Sequence, residues 1–119
     1  MENGSTKNFT VDEFKCKCCG VDGVKPAAKE AIQQVRDLYG KPMRLNSAYR
    51  CEKHNKAVGG HPNSEHLSGI AFDVHAATAE DRYRLVEMAL ACGFKGIGVY
   101  AGGWVHMDYR LGKKSLWVG

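Results

Sequence analysis

Apolar positions along this chain switch between two periods. From Pro26 onward, Ala28, Ala31, Ile32, Val35, Leu38 and Tyr39 recur at three- and four-residue steps, with proline in the first turn and Gly40 at the stop. That pattern predicts a helix with one buried stripe. A second long helix is predicted between Thr78 and Gly93: Thr78 caps it, Glu80 and Asp81 sit in the first turn where the helix dipole favours acids, and Leu85, Val86, Ala89 and Leu90 form the stripe. Thr10 with Glu13 three residues later is a capping box that predicts a short helix over 11–15. Elsewhere the period is two. Residues 42–50, PMRLNSAYR, set Met43, Leu45, Ser47 and Tyr49 against Arg44, Asn46, Ala48 and Arg50, a strand or a strand running into a loop. GIAFDVHA, 69–76, sets Ile70, Phe72 and Val74 against Gly69, Ala71, Asp73 and His75. KGIGVYAGGWVHMDYR, 95–110, reads as two short strands around a turn at Ala101, Gly102 and Gly103. Residues 51–68 read as one helical turn followed by an ordered connection, and the tail LGKKSLWVG offers only Trp117 as a landmark. The expected fold class is α+β, a small, mainly antiparallel sheet with helices on one face.

Composition narrows the function classes. At 119 residues the expectation is a single domain over 1–119, and 44% apolar with 25% charged residues is the balance of an ordinary globular chain. Seventeen Lys and Arg against thirteen Asp and Glu give a net charge of +4, spread along the chain. With no basic stripe and no stacking-aromatic pattern, a nucleic-acid partner is not expected. No stretch approaches the roughly 18 apolar residues of a membrane span. The opening MENGSTKNFTVDEF lacks a basic segment followed by an apolar run, so the expectation is synthesis in the cytoplasm without a signal peptide.

Period-two alternation also places chemistry. In the last predicted strand Val105, Met107 and Tyr109 point one way, while Trp104, His106, Asp108 and Arg110 point the other. If the polar faces of the two His/Asp strands share one side of the sheet, Asp73, His75, His106 and Asp108 converge there, and the loop before Gly69 can bring in His66. Three N and O donors with a solvent corner are the usual set of a catalytic zinc site. His66, Asp73 and His106 are therefore the expected ligands, and the zinc cleft is expected on the sheet face away from the helices.

LNSAYRCEKHNKAVGGHPNSEHLSGIAFDV followed by GFKGIGVYAGGWVHMDYR carries S-x-Y-R, S-x-H-x-x-G-x-A-x-D and V-H-x-D blocks in order. In these blocks the chain, from about Phe9 to Arg110, resembles the zinc D-Ala-D-Ala carboxypeptidase family of peptidoglycan peptidases, in its branch of short L-alanyl-D-glutamate endopeptidases and phage endolysins. The resemblance implies the small α+β fold shared with lysostaphin-type and hedgehog-type domains, a Zn2+ cofactor on His66, Asp73 and His106, and Arg50 in the cleft. It implies a peptidoglycan stem peptide as substrate, cut between L-Ala and D-Glu. Removal of terminal D-Ala, or a non-catalytic zinc-binding wall or virion module, are the alternatives. Action in the periplasm or cell wall after release, as a monomer, is expected. One position departs: where better-known members carry an acid three residues before the second ligand histidine, this chain has Gly103. Asp108 is then the candidate general base, or else the acceptor that fixes a ligand imidazole. Arg50 would grip a developing oxyanion or the acidic groups of the substrate, or form a surface ion pair. His75 at a strand end, His54 and His61 in a polar loop, and Ser64 and Glu65 beside a ligand are weaker candidates, and Tyr100 and Trp104 could line the cleft.

Five cysteines remain. Cys92 reads as a small buried apolar residue. Cys16 with Cys19 and Cys51 with His54 form C-x-x-C and C-x-x-H pairs that could make a second, structural zinc site; a disulfide to Cys51 and free thiols are the other possibilities.

Overall fold

The structure, a computed structural model, describes residues 4–119. Its helices are α1 (Val11–Phe14), α2 (Pro26–Tyr39), α3 (Glu52–Ala57) and α4 (Ala79–Ala91), and its strands β1 (Leu45–Ser47), β2 (Ala71–His75), β3 (Gly96–Tyr100), β4 (Trp104–Asp108) and β5 (Ser115–Val118). One sheet takes all five strands in the order β1-β2-β4-β3-β5. Three pairings are antiparallel, and β3 with β5 is parallel, so the small α+β domain has a mixed sheet. Among the described residues no helix is long and apolar enough to cross a membrane.

Local chemistry explains the helices. Glu13 accepts the Thr10 backbone N–H at 3.0 Å to close the start of α1. Thr78 Oγ1 accepts the Asp81 N–H at 3.1 Å to open α4, and α2 runs from Pro26 to a left-handed Gly40. Ala28, Ala31, Ile32, Val35 and Tyr39 of α2 and Leu85 and Ala89 of α4 enter one core with Phe72, Val74, Ile97, Val105 and Met107 of the sheet. Two expected stripe members do not: Leu38 and Leu90 are 55% and 56% exposed. Each sits at the margin of a narrow apolar face, where one helical step of 100° turns a side chain to solvent.

Of the two readings of 42–50, a strand or a strand running into a loop, the structure has the second: it pairs at Leu45–Ser47, with an irregular register against β2. Beyond Ser47 the chain abandons the ladder for the neighbouring loop: Arg50 N–H donates to the His66 carbonyl at 3.2 Å, and His66 Nδ1 meets the Ala48 carbonyl at 2.6 Å. In the tail, Ser115–Val118 adds the parallel edge strand β5.

Because side chains alternate, the sheet face opposite the core is a grid of transverse rows. One row reads Ser47, Asp73, His106, Gly98, Trp117; the next reads Ala71, Asp108, Gly96, Ser115. Gly98 thus separates His106 from Trp117, and Ala71 and Gly96 flank Asp108.

Candidate metal centre and cleft

Asp73 lies directly across β2 and β4 from His106, and its Oδ1 is 3.0 Å from His106 Nδ1. From the loop before β2, His66 brings Nε2 to 3.2 Å from the same oxygen. The three residues form a group whose ligand atoms lie within 4.8 Å of one another.

The state of His66 tests whether this group fits a cation. The Ala48 carbonyl can only accept, so His66 Nδ1 carries the proton and Nε2 of the neutral ring offers a lone pair. That nitrogen is buried and, among the described residues, has no hydrogen-bond partner. A lone pair 3.2 Å from a carboxylate oxygen is two acceptors facing each other, which costs about 1–3 kcal/mol unless a positive charge joins them. Two imidazole nitrogens and one carboxylate oxygen are the donor chemistry of zinc, so the residues fit the ion.

The remaining contacts hold this group in place. Arg50 donates from Nε to Ser47 Oγ (3.0 Å), from Nη1 to Asn55 Oδ1 (3.2 Å) and from Nη2 to Asp73 Oδ2 (3.1 Å), so the residue read as a cleft cation also fixes the Asp73 carboxylate. On the other side of His106, Nε2 is 2.9 Å from Asp108 Oδ2. Asp108 is fully buried, and Arg110 grips it in a fork, Nε to Oδ1 at 2.6 Å and Nη2 to Oδ2 at 2.8 Å. Burial alone would raise the Asp108 pKa, but Arg110 and His106 outweigh it and hold the carboxyl down at about 2. Asp73 follows the same logic: burial opposes its charge, and the His106 imidazole outweighs it, keeping the carboxyl well below the ordinary carboxylate range. For His106 burial disfavours the charged ring, yet Asp108 and Asp73 raise its pKa.

Several of these parts were given no role in the sequence reading. Arg110 and Trp117 are the chief ones: the Trp117 ring centroid lies 5.2 Å from that of His106, Arg110 stacks on the indole at 5.8 Å, and the indole N–H donates to Tyr100 Oη at 2.8 Å. Gly96 and Gly98 make room for them. A Cβ at Gly96 would overlap the Asp108 carboxylate, and one at Gly98 would overlap the Trp117 indole. Gly96→Ala is therefore expected to leave the helices intact, to cost about 1–3 kcal/mol in stability, and to lower activity about tenfold or more by displacing the partner of His106. Thermal unfolding and hydrolysis assays on one preparation check both. At Gly103, where an acid was missing, φ is 113°. The β3–β4 turn requires that conformation, which disfavours any side chain, so an acid there would be strained.

The cleft over the sheet holds about 550 Å3 and is walled by residues 58–66 on one side and by Tyr100, Trp104 and Trp117 on the other. A second hollow of about 370 Å3 adjoins it, sharing Arg50, Val58, Asp73 and Trp104 and adding Lys17 and His54. Of the weaker candidates, Ser64, Glu65 and His61 line the main cleft, and Ser64 Oγ accepts the His66 backbone N–H at 3.1 Å. His75 is exposed beyond it.

A family model described as Peptidase M15 matches residues 7–108, a span that contains the whole His66–Asp73–His106 group and the Arg50 and Asp108 that brace it. No curated protein matches the chain. The match covers most of the sequence, and the donor set fits the cofactor the family requires: the chain belongs to the peptidase M15 family and is a zinc metallopeptidase that acts on peptidoglycan.

Proposed function

We propose that this chain is an endopeptidase that cuts the peptidoglycan stem peptide between L-Ala and D-Glu, with zinc held by His66, Asp73 and His106. The observation that supports cleavage within a chain, rather than trimming of its end, is the pair of hollows that meet at Asp73 and Arg50. A carboxypeptidase needs space on one side of the scissile bond and a stop on the other. Here there is room on both.

Lys17 and Arg50 border the second hollow beside Asp73, and these cations suit D-glutamate and the acid groups beyond it. Zinc, when bound, supplies Lewis acidity, polarising a carbonyl and making water acidic enough to react near neutral pH. The chain's own residues do the rest. Arg50 sets the Asp73 carboxylate and offers a fixed charge to the substrate. Asp108, clamped by Arg110, accepts the His106 Nε2–H and so leaves Nδ1 free to ligate, a histidine–carboxylate arrangement that fixes ring and tautomer. Proton transfer falls to Glu65, a carboxylate lining the cleft that neither a ligand role nor an arginine fork engages.

Mass spectrometry of a defined muropeptide digest tests this reading. The expected products are a peptide beginning at D-Glu and a muramoyl-L-Ala fragment, with chelator abolishing and zinc restoring their release. Free D-Ala as the sole product would replace the proposal with the carboxypeptidase reading.

A further inference from the structure

Next to the second hollow, the cysteine-rich loop makes a second group of metal-competent atoms. Cys16, Cys19 and Cys51 bring their sulfurs within 4.8 Å of one another, although Cys51 is 35 residues from Cys16. We propose that these three cysteines hold a structural zinc ion that ties the N-terminal loop to the segment carrying Arg50.

Three features of the loop carry this inference. The first is local shape. Cys16-Lys17-Cys18-Cys19-Gly20 forms a tight turn in which the Gly20 N–H donates to the Cys16 carbonyl at 2.9 Å and the Cys16 N–H to the Val21 carbonyl at 2.8 Å. Such a turn sets the two sulfurs of a C-x-x-C pair side by side, as a metal ligand pair requires. The second is spacing between the halves of the site. Cys16 Sγ is 3.6 Å from Cys51 Sγ, and a tetrahedron with zinc–sulfur bonds of about 2.3 Å has edges of about 3.8 Å. The third is the environment of the sulfurs. The Cys51 backbone N–H points at Cys16 Sγ at 3.4 Å, and the His54 backbone N–H points at Cys51 Sγ at 3.4 Å. Amides aimed at sulfur stabilise thiolate, the form that binds metal.

The contribution of His54 is its main chain; its ring is not in the group, so the C-x-x-H pairing read from the sequence gives way to a three-sulfur set. A lone disulfide between Cys16 and Cys51 would leave Cys19 unused beside it. A zinc ion engages all three.

Zinc content of the full chain, purified under reducing conditions, provides the test. We expect two zinc ions per chain in the wild type. One should remain in a His66→Ala, Asp73→Ala double variant, whose cleft donors are gone, and one in a Cys16→Ser, Cys51→Ser double variant. Loaded with cobalt instead, the cleft variant should show sulfur-to-metal charge-transfer absorption, which an N and O donor set does not give. If the cysteine variant fails to fold, the cleft variant still decides the matter. No metal and no charge-transfer band in that reduced variant would overturn the proposal, as would an intact mass showing the Cys16–Cys51 disulfide in the reductant-purified wild type.

Discussion

Asp73→Ala is expected to empty the cleft of zinc and to reduce muropeptide hydrolysis by about a thousandfold or more, to the level of the chelated protein. The size of the effect follows from how much converges on one carboxylate. Its Oδ1 faces both imidazoles and its Oδ2 receives Arg50, so removal takes away a ligand and also releases the guanidinium that helps to orient the site. Arg50 and His106 are then left partly buried without their common partner. That loss should lower stability by about 1–3 kcal/mol, small enough for a folded, inactive protein. Circular dichroism, metal analysis and product mass spectrometry on one sample separate the three effects. A folded Asp73→Ala protein that kept metal in the cleft and hydrolysed at the wild-type rate would remove Asp73 from the centre.

The same carboxylate sets a pH dependence for the metal-free protein. Its folded pKa lies below that of an unfolded Asp near 3.9, so the stability it provides is fully present above about pH 4 and is lost as pH falls through the folded value. Acid titration of the chelated wild type against Asp73→Asn should show the wild type losing more stability below about pH 4. Equal losses would show that the depressed pKa does not contribute.

Much of this site was legible because strand alternation is a strict code. Once Phe72 and Val74 face the core, Asp73 must face away from it, and the same holds for His106 between Val105 and Met107. The β2–β4 register that sets Asp73 opposite His106 is tertiary, but two strands with matching polar faces have few other ways to share a sheet. What stayed hidden depends on single contacts. In β5 Leu116 and Val118 are exposed, so the tail carries no buried alternation to read; its place comes from pairing with the free edge of β3 and from Trp117 seated over Gly98. Arg110 stands on the polar face by alternation, yet its fork on Asp108 requires the carboxylate to be tucked against Gly96, which no pattern in the sequence announces. Likewise Leu38 and Leu90 fit the helical period but lie at its margin, because apolar residues are common on surfaces and periodicity alone does not say how wide the buried face is.

Asp108→Asn is expected to weaken zinc binding about 10- to 100-fold and to lower activity in step, with excess zinc restoring most of it. Sequence reading left two roles for this residue, base or orienting acceptor, and the geometry favours the second. Both of its oxygens are taken, one arginine fork spanning Oδ1 and Oδ2 and His106 adding a second contact to Oδ2. It is fully buried, and with its pKa near 2 it is a poor proton acceptor at neutral pH, where a general base works best with a pKa near the operating value. An orienting acceptor needs none of the properties it lacks. It needs a fixed position and a permanent charge, and the Arg110 fork with Gly96 beneath it provides both. The two roles diverge in the response to metal: loss of an orienting acceptor is reversed by mass action, whereas loss of a base leaves a fully zinc-loaded enzyme slower by about 10²- to 10⁴-fold. Zinc-titrated kinetics of Asp108→Asn beside Glu65→Gln therefore assign the proton. Rescue of the first and not the second places it on Glu65, and the reverse pattern returns it to Asp108.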